Sequence, residues 1–202
     1  MAYGTLNVGA ITPGSGATLT VSETISLGTV SAGTLGSAVV FPAGNIVQIV
    51  INSPDVAPVF RAVASFSEVT TALRTAITPK FANSILELQL TFLFSGRNNA
   101  SISLMKFYDY TNSADVNLAT TSIGNRVGCH AGARQKDHDN NDCDSMCMTT
   151  SVVSANTNAR TYSLYEQSNQ ATEAIKSFFG SKDDAVLLPF CRPTFKITEI
   201  KQ

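Results

Sequence analysis

The chain has 202 residues, of which 44% are hydrophobic and 14% charged, and its formal net charge at pH 7 is −1. This composition predicts a folded chain with a buried core, and the sequence has neither a membrane-length apolar run nor a start typical of a signal peptide. It also lacks a cluster of Lys or Arg, so we expect neither nucleic acid nor a membrane as a direct partner.

Residues 1–44 form a compositionally biased segment. Between residues 1 and 60 the charged side chains are Glu23 and Asp55 alone, and glycines separate short runs rich in Thr, Val, Leu and Ile. This pattern favours short strands and turns, which cannot bury a core by themselves. We therefore predict an N-terminal β-stalk or attachment arm that joins three copies of the chain or docks on a partner protein. A flexible leader is the alternative.

Residues 45–202 are predicted to form one β-domain. A Pro-Ala-Gly turn at 42–44 precedes an apolar run at 46–51, the candidate first strand. Residues 85–94 alternate apolar and polar side chains with period two, which is typical of a strand that is covered on one face.

The remaining pattern predicts several more strands. Residues 59–76 are predicted to be mostly extended, and residues 168–179 to form one short helix or a loop. Further strands are expected at 101–109, 146–154, 160–167, 185–190 and 194–201. Many short strands without a long amphipathic helix predict an all-β fold, an antiparallel β-sandwich of jelly-roll-like type.

Three short motifs carry a resemblance to a known group of proteins. They are FPAGNIVQIV at 41–50, ITPK at 77–80 followed by NSIL at 83–86, and FKITEI at 195–200. Together they are similar to tail-fibre-like and head-fibre-like virion structural proteins of marine and cyanobacterial tailed phages. The resemblance implies a turn into the first strand, a turn before the long core strand, and a closing strand. It also implies a homotrimer that is assembled in the host cytoplasm and located in the virion, where residues 1–44 dock on other virion proteins.

A Cys- and His-rich stretch interrupts this resemblance. Its candidates for a disulfide or a metal site are Cys129, His130, His138, Cys143 and Cys147. Their spacing matches no standard zinc ribbon or finger, and an EF-hand is excluded because Asp142 stands where glycine is needed and Met148 where glutamate is needed. An exposed polar loop is the alternative, and no cofactor is expected.

Tyrosines provide the candidate receptor-binding residues, namely Tyr108, Tyr110, Tyr162 and Tyr165. Aromatic rings beside Asp, Asn and Thr are suited to sugar or protein recognition. The alternative is that one tyrosine of each pair fills the core.

An enzyme is not expected, because His130 and His138 are the only histidines and no nucleophile motif is present. The sequence therefore predicts an oligomeric fibre or knob that projects from a tailed-phage particle and contacts a host-surface glycan or protein. A capsid decoration or cement protein is the first alternative. A glycan depolymerase, which would need two converging carboxylates, is the second.

Overall fold

The computed structural model describes residues 42–96, 102–118, 127–133, 143–168, 176–180 and 191–202. Most of residues 1–44, the predicted stalk, and the predicted strand at 185–190 lie outside these ranges. The described strands are β1 (Ile46–Asn52), β2 (Val59–Arg61), β3 (Ser67–Glu68), β4 (Thr75–Ile77), β5 (Ile85–Gly96), β6 (Ser103–Asp109), β7 (Ala114–Asp115), β8 (Ala131–Ala133), β9 (Asp144–Val153), β10 (Arg160–Ser168), β11 (Lys176–Phe178) and β12 (Thr194–Ile200).

The strands form two antiparallel sheets. Sheet A contains, from edge to edge, β9, β5, a row made of β12 and β11, and a row made of β1 and β2. Sheet B contains a row made of β3 and β4, then β10, then β6, and a row made of β7 and β8. The predicted all-β, antiparallel sandwich is confirmed.

The core lies between the inward faces of the two sheets. On β5 the side chains of Leu86, Leu88, Leu90, Phe92 and Phe94 are at most 1% exposed, which confirms the predicted alternation. Inward rings of the two sheets meet directly, since the centroids of Phe107 on β6 and Phe195 on β12 are 5.4 Å apart. This burial is the main favourable term for the fold.

Two predicted elements differ from the structure. Residues 59–76 contain β2, β3, a 3₁₀ turn at Thr71–Leu73 and the start of β4. The extended chain ends at this turn because the Thr70 hydroxyl accepts a hydrogen bond from the Ala72 amide. The helix considered for 168–179 is wrong where the structure describes it, because β11 pairs with β2 and β5 and buries Phe178.

A buried carboxylate ties three parts of the fold together. Glu199 of β12 accepts hydrogen bonds from the Lys80 and Phe81 amides at 2.9 and 3.0 Å and from the Ser84 hydroxyl at 2.7 Å. It also accepts one from the Gln48 amide group at 2.6 Å. Glu199 therefore fixes β1, the β4–β5 connection and β12 against one another.

In the part of the chain that the structure describes, no helix is long and apolar enough to cross a membrane.

Candidate functional site

The outward face of sheet B carries a stacked pair of tyrosines. Phe107 and Leu164 point into the core, so the period-two alternation of β6 and β10 turns Tyr108 and Tyr165 to the outside. Their ring centroids are 4.1 Å apart and their planes differ by 29°. Two of the predicted receptor-binding tyrosines therefore meet on one surface.

An arginine and a glutamate flank one side of the tyrosine pair. Arg74 donates to both oxygens of Glu68, at 2.9 and 2.7 Å, and the Ser163 hydroxyl donates to the same carboxylate at 2.6 Å. The guanidinium also lies 3.7 Å from the centre of the Tyr110 ring. This bidentate pair fixes the position of Tyr110, which is 42% exposed.

A second ion pair flanks the other side. The Lys106 ammonium contacts the Asp115 carboxylate and lies 4.1 Å from the centre of the Phe66 ring. Lys106 is itself buried, whereas Asp115 is exposed. We call the whole row the tyrosine strip, and its members are Phe66, Glu68, Arg74, Lys106, Tyr108, Tyr110, Asp115, Ser163 and Tyr165.

A cleft of about 590 Å³ continues the tyrosine strip beyond Lys106. Phe66 and Val127 provide apolar walls, and Asp115 and Asn117 provide polar atoms. Concave surfaces with a few placed polar groups are where ligands bind most often. The cleft and the strip together form one extended surface.

The protonation states of the strip suit hydrogen bonding. Burial raises the pKa of Glu68, but hydrogen bonds from Arg74 and Ser163 and the nearby arginine charges outweigh this, so that the pKa is lowered. Glu68 is therefore an ionised acceptor at neutral pH. Burial, and then the Glu68 charge, raises the pKa of the Tyr165 phenol, which is therefore a protonated donor.

Stacking limits what the rings can offer to a ligand. Tyr108 and Tyr165 cover one face of each other, and Arg74 covers one face of Tyr110. A ligand above the sheet meets ring edges, hydroxyl groups and the charged groups between them. The surface is therefore amphipathic, with positions set before any ligand arrives.

Tyr162 does not belong to this surface. Tyr162 is three residues from Tyr165 on β10 and so points to the opposite face of sheet B. Its side chain is 0% exposed and lies in the core. Its proposed receptor contact is wrong, because a fully buried side chain cannot touch a partner. One tyrosine of the second predicted pair fills the core, as the alternative expected.

The predicted disulfide or metal residues are dispersed. Cys129 and His130 lie just before β8, whereas Cys143 precedes β9 and Cys147 is exposed on β9. Cys129 and Cys147 are free thiols. His138 lies outside the described residues. Within the described ranges, no group of three or more His, Cys, Asp or Glu side chains is placed to hold a metal ion.

His130 has a structural contact instead. Its Nδ1 accepts a hydrogen bond from the Phe107 amide at 3.1 Å, and its ring packs against that of Phe107 at 5.4 Å. Burial lowers the pKa of His130, which favours the neutral ring that this acceptor role requires.

The charged members of the tyrosine strip were not predicted from the sequence. Lys106 and Asp115 are nine residues apart, and Arg74 comes from a different row of the sheet than Tyr110. Lys106 and Tyr108 are two residues apart on β6 and therefore share its outward face, a sequence signal that could have identified Lys106. No protein-family model matches the chain, and no curated protein matches it either.

Proposed function

We propose that the chain is a non-enzymatic structural component of a tailed-phage virion, an oligomeric fibre or knob whose head binds a host-surface glycan. The observation that carries the proposal is the tyrosine strip, an ordered row of aromatic, hydroxyl and paired charged groups on one sheet face. The oligomer is expected to contain three copies, with residues 1–44 as the attachment to the particle.

The order of the strands supports this class of protein. The strands make eight rows, numbered here in chain order: β1 with β2, β3 with β4, β5, β6, β7 with β8, β9, β10, and β11 with β12. In these row numbers sheet A reads 1-8-3-6 and sheet B reads 2-7-4-5. This is the order that two Greek keys wrapped into a jelly roll would give, an architecture used by capsid proteins and lectins. Because a fold hosts many functions, the choice between these roles depends on the surface residues.

A glycan fits the chemistry of the tyrosine strip better than an ionic ligand does. Both cations are already paired, Arg74 with Glu68 and Lys106 with Asp115, so the strip offers little unbalanced charge. It offers ionised acceptors, donors and apolar ring edges at fixed positions, which suits a ligand covered with hydroxyl groups. Side chains that are already fixed lose little entropy when the ligand binds.

The carboxylates of the strip support a binding role over a depolymerase. A glycosidase needs one carboxyl group that is held protonated as a general acid. Glu68 has a lowered pKa instead, and Asp115 contacts a buried lysine. Both groups therefore serve as charged partners in the proposal.

A capsid decoration or cement protein is the alternative that shares this fold. It would need no receptor, so a change in the tyrosine strip would leave its docking on the capsid unaltered.

The proposal is tested by screening the full-length protein on an array of bacterial lipopolysaccharides and capsular polysaccharides. We expect binding to a small set of glycans and a loss of about tenfold or more in affinity for Tyr110→Ala. Phe60→Ala is the control, because Phe60 is a ring on sheet A that is 51% exposed, against 42% for Tyr110. Equal signals for wild type and Tyr110→Ala, or no bound glycan, would argue for the decoration protein.

A further inference from the structure

An apolar row crosses the outward face of sheet A. The pairing registers align Ile46 with Ile200, Ile200 with Ile85, and Ile85 with Val153, so that one aliphatic side chain comes from each of four strands. The two ends of the row, Ile46 and Val153, are 58% and 54% exposed. The row therefore leaves apolar surface in water at one end of the sheet.

A second line of apolar side chains meets this row along β1. Ile49 and Ile51 point outward and are 51% and 63% exposed. We call the two lines together the apolar band, and its members are Ile46, Ile49, Ile51, Ile85, Val153 and Ile200. Contiguous exposed apolar side chains of this kind usually mark an interaction surface.

The apolar band ends at an open sheet edge. β1 pairs with β12 on one side, and among the described strands none pairs with its other side. β1 has no charged residue and no proline, the features by which natural edge strands prevent further pairing. This edge is therefore open to pairing or packing with a further protein surface.

The charges beside the apolar band are self-complementary. Glu87 and Lys196 lie on the same outward face, and within the described ranges neither is in an ion pair. Lys196 is the pairing neighbour of Ile51, whereas Glu87 lies one strand further from the edge. In a closed ring of copies, the acid of one copy can therefore pair with the base of the next.

The apolar band also lies beside the first described residues of the chain. The Gly44 amide donates to the Lys201 carbonyl at 2.7 Å, and the Lys201 amide donates to the Asn45 carbonyl at 2.9 Å, directly beside Ile46. The first described residue, Pro42, therefore lies close to this end of the apolar band. Copies that share an attachment through their N-terminal segments would bring their apolar bands close together.

We infer that the apolar band is the surface through which neighbouring copies of this chain pack against one another, with Glu87 of one copy opposite Lys196 of the next. The inference rests on the oligomer in the proposed function but not on glycan binding, because the tyrosine strip lies on the other sheet. It assigns one face of the sandwich to assembly and leaves the opposite face for the receptor.

Light scattering of the full-length protein tests the inference. We expect wild type to contain several copies, and Ile49→Asp and Val153→Asp each to lower the mass toward that of one chain, because a buried unpaired carboxylate opposes packing. Thr157→Asp is the control, since Thr157 is exposed in a turn between β9 and β10 and should keep the wild-type mass. Circular dichroism checks that each variant is folded.

A charge exchange tests the pairing itself. Glu87→Lys and Lys196→Glu should each raise the dissociation constant about tenfold, and the double variant should restore the wild-type mass, because reversing both charges restores their attraction. If the double variant does not recover, these two side chains do not face each other and the pairing is overturned.

The outcomes separate the two proposals. An oligomeric wild type whose mass is unchanged in both aspartate variants would overturn the apolar band as the contact while leaving the oligomer. A wild type that is a single chain at every concentration would overturn the apolar band and the oligomer together. Glycan binding by that single chain would still support the receptor role of the tyrosine strip.

Discussion

At the scale of single residues, Glu199 explains why three distant sequence motifs occur together. Gln48 comes from the first motif, Lys80 and Ser84 from the second, and Glu199 from the third. All of them meet at one buried carboxylate. These motif residues are therefore structural residues of the sandwich and are not part of the tyrosine strip.

Glu199→Gln should lower the free energy of unfolding by about 2–3 kcal/mol, because one oxygen that accepts hydrogen bonds becomes a donor and leaves backbone amides without a partner. Chemical denaturation measures this loss. Asp55→Asn, which removes an exposed ion pair with Arg192 outside the apolar band, is the control and should change stability by less than about 1 kcal/mol. A loss no larger than that of the control would contradict the role of Glu199.

The same carboxylate predicts a dependence on acid. Burial raises the pKa of Glu199, but four hydrogen-bond donors outweigh it, so the folded pKa is lowered below the ordinary value of 4.5. The unfolded chain therefore binds the proton first, and the stabilisation is present above pH 4.5 and lost as the pH falls through the folded pKa. Denaturation midpoints between pH 6 and about pH 3 should fall less steeply in Glu199→Gln.

His130 predicts a separate window at higher pH. Burial lowers its pKa below 6.5, the nearby Asp115 opposes this and Lys106 adds to it. Because the unfolded histidine takes up a proton more readily, stability should decrease as the pH falls below 6.5 toward the folded pKa. His130→Asn, which keeps an acceptor near the Phe107 amide, should remove this decrease. An unchanged profile in that variant would show that another group titrates.

At the scale of elements, β5 contributes five buried apolar side chains to the core, more than any other described strand. Its inward side chains are buried, and it pairs with β9 on one side and with β12 and β11 on the other. Leu88→Ala should cost about 2–5 kcal/mol, because the cavity left in a packed interior cannot close. Gln89→Ala, on the outward face of the same strand, should cost far less. Thermal unfolding of the two variants distinguishes them.

The period-two pattern explains why β5 was predictable from the sequence and β11 was not. Every second side chain from Leu86 to Phe94 is apolar and buried. A helix would not bring residues with this spacing to one face. β11 has three residues, too few for a period, and it is a strand because it hydrogen-bonds to β2 on one side and to β5 on the other. Tertiary pairing, rather than local preference, made that strand.

The same limit applies to the candidate site. Outward alternation identifies Tyr108 and Tyr165 as surface residues once the inward face of their strands is known, and the same rule places Tyr162 in the core. The ion pair of Lys106 with Asp115 joins two neighbouring rows of sheet B, so it depends on strand order, which the sequence pattern leaves open. The pair of Glu68 with Arg74 depends instead on the turn at Thr71–Leu73 that separates them in the chain.

At the scale of the whole molecule, the sandwich has two different outward faces. Sheet B carries the tyrosine strip, with its charges paired and its rings fixed, whereas sheet A carries the apolar band. We propose that copies assemble through the second face and bind a host glycan through the first. Several copies in one particle would raise the avidity of a weak single site.

Whether the tyrosine strip binds a glycan is decided by the dissociation constants of wild type, Tyr165→Phe and Phe60→Ala for a glycan found on the array. Tyr165→Phe keeps the stacked ring and removes only the hydroxyl. We expect a loss of affinity of about fivefold to tenfold for Tyr165→Phe, the value of one hydrogen bond, and no loss for Phe60→Ala. Equal affinity of Tyr165→Phe and wild type would show that the strip is not the glycan site.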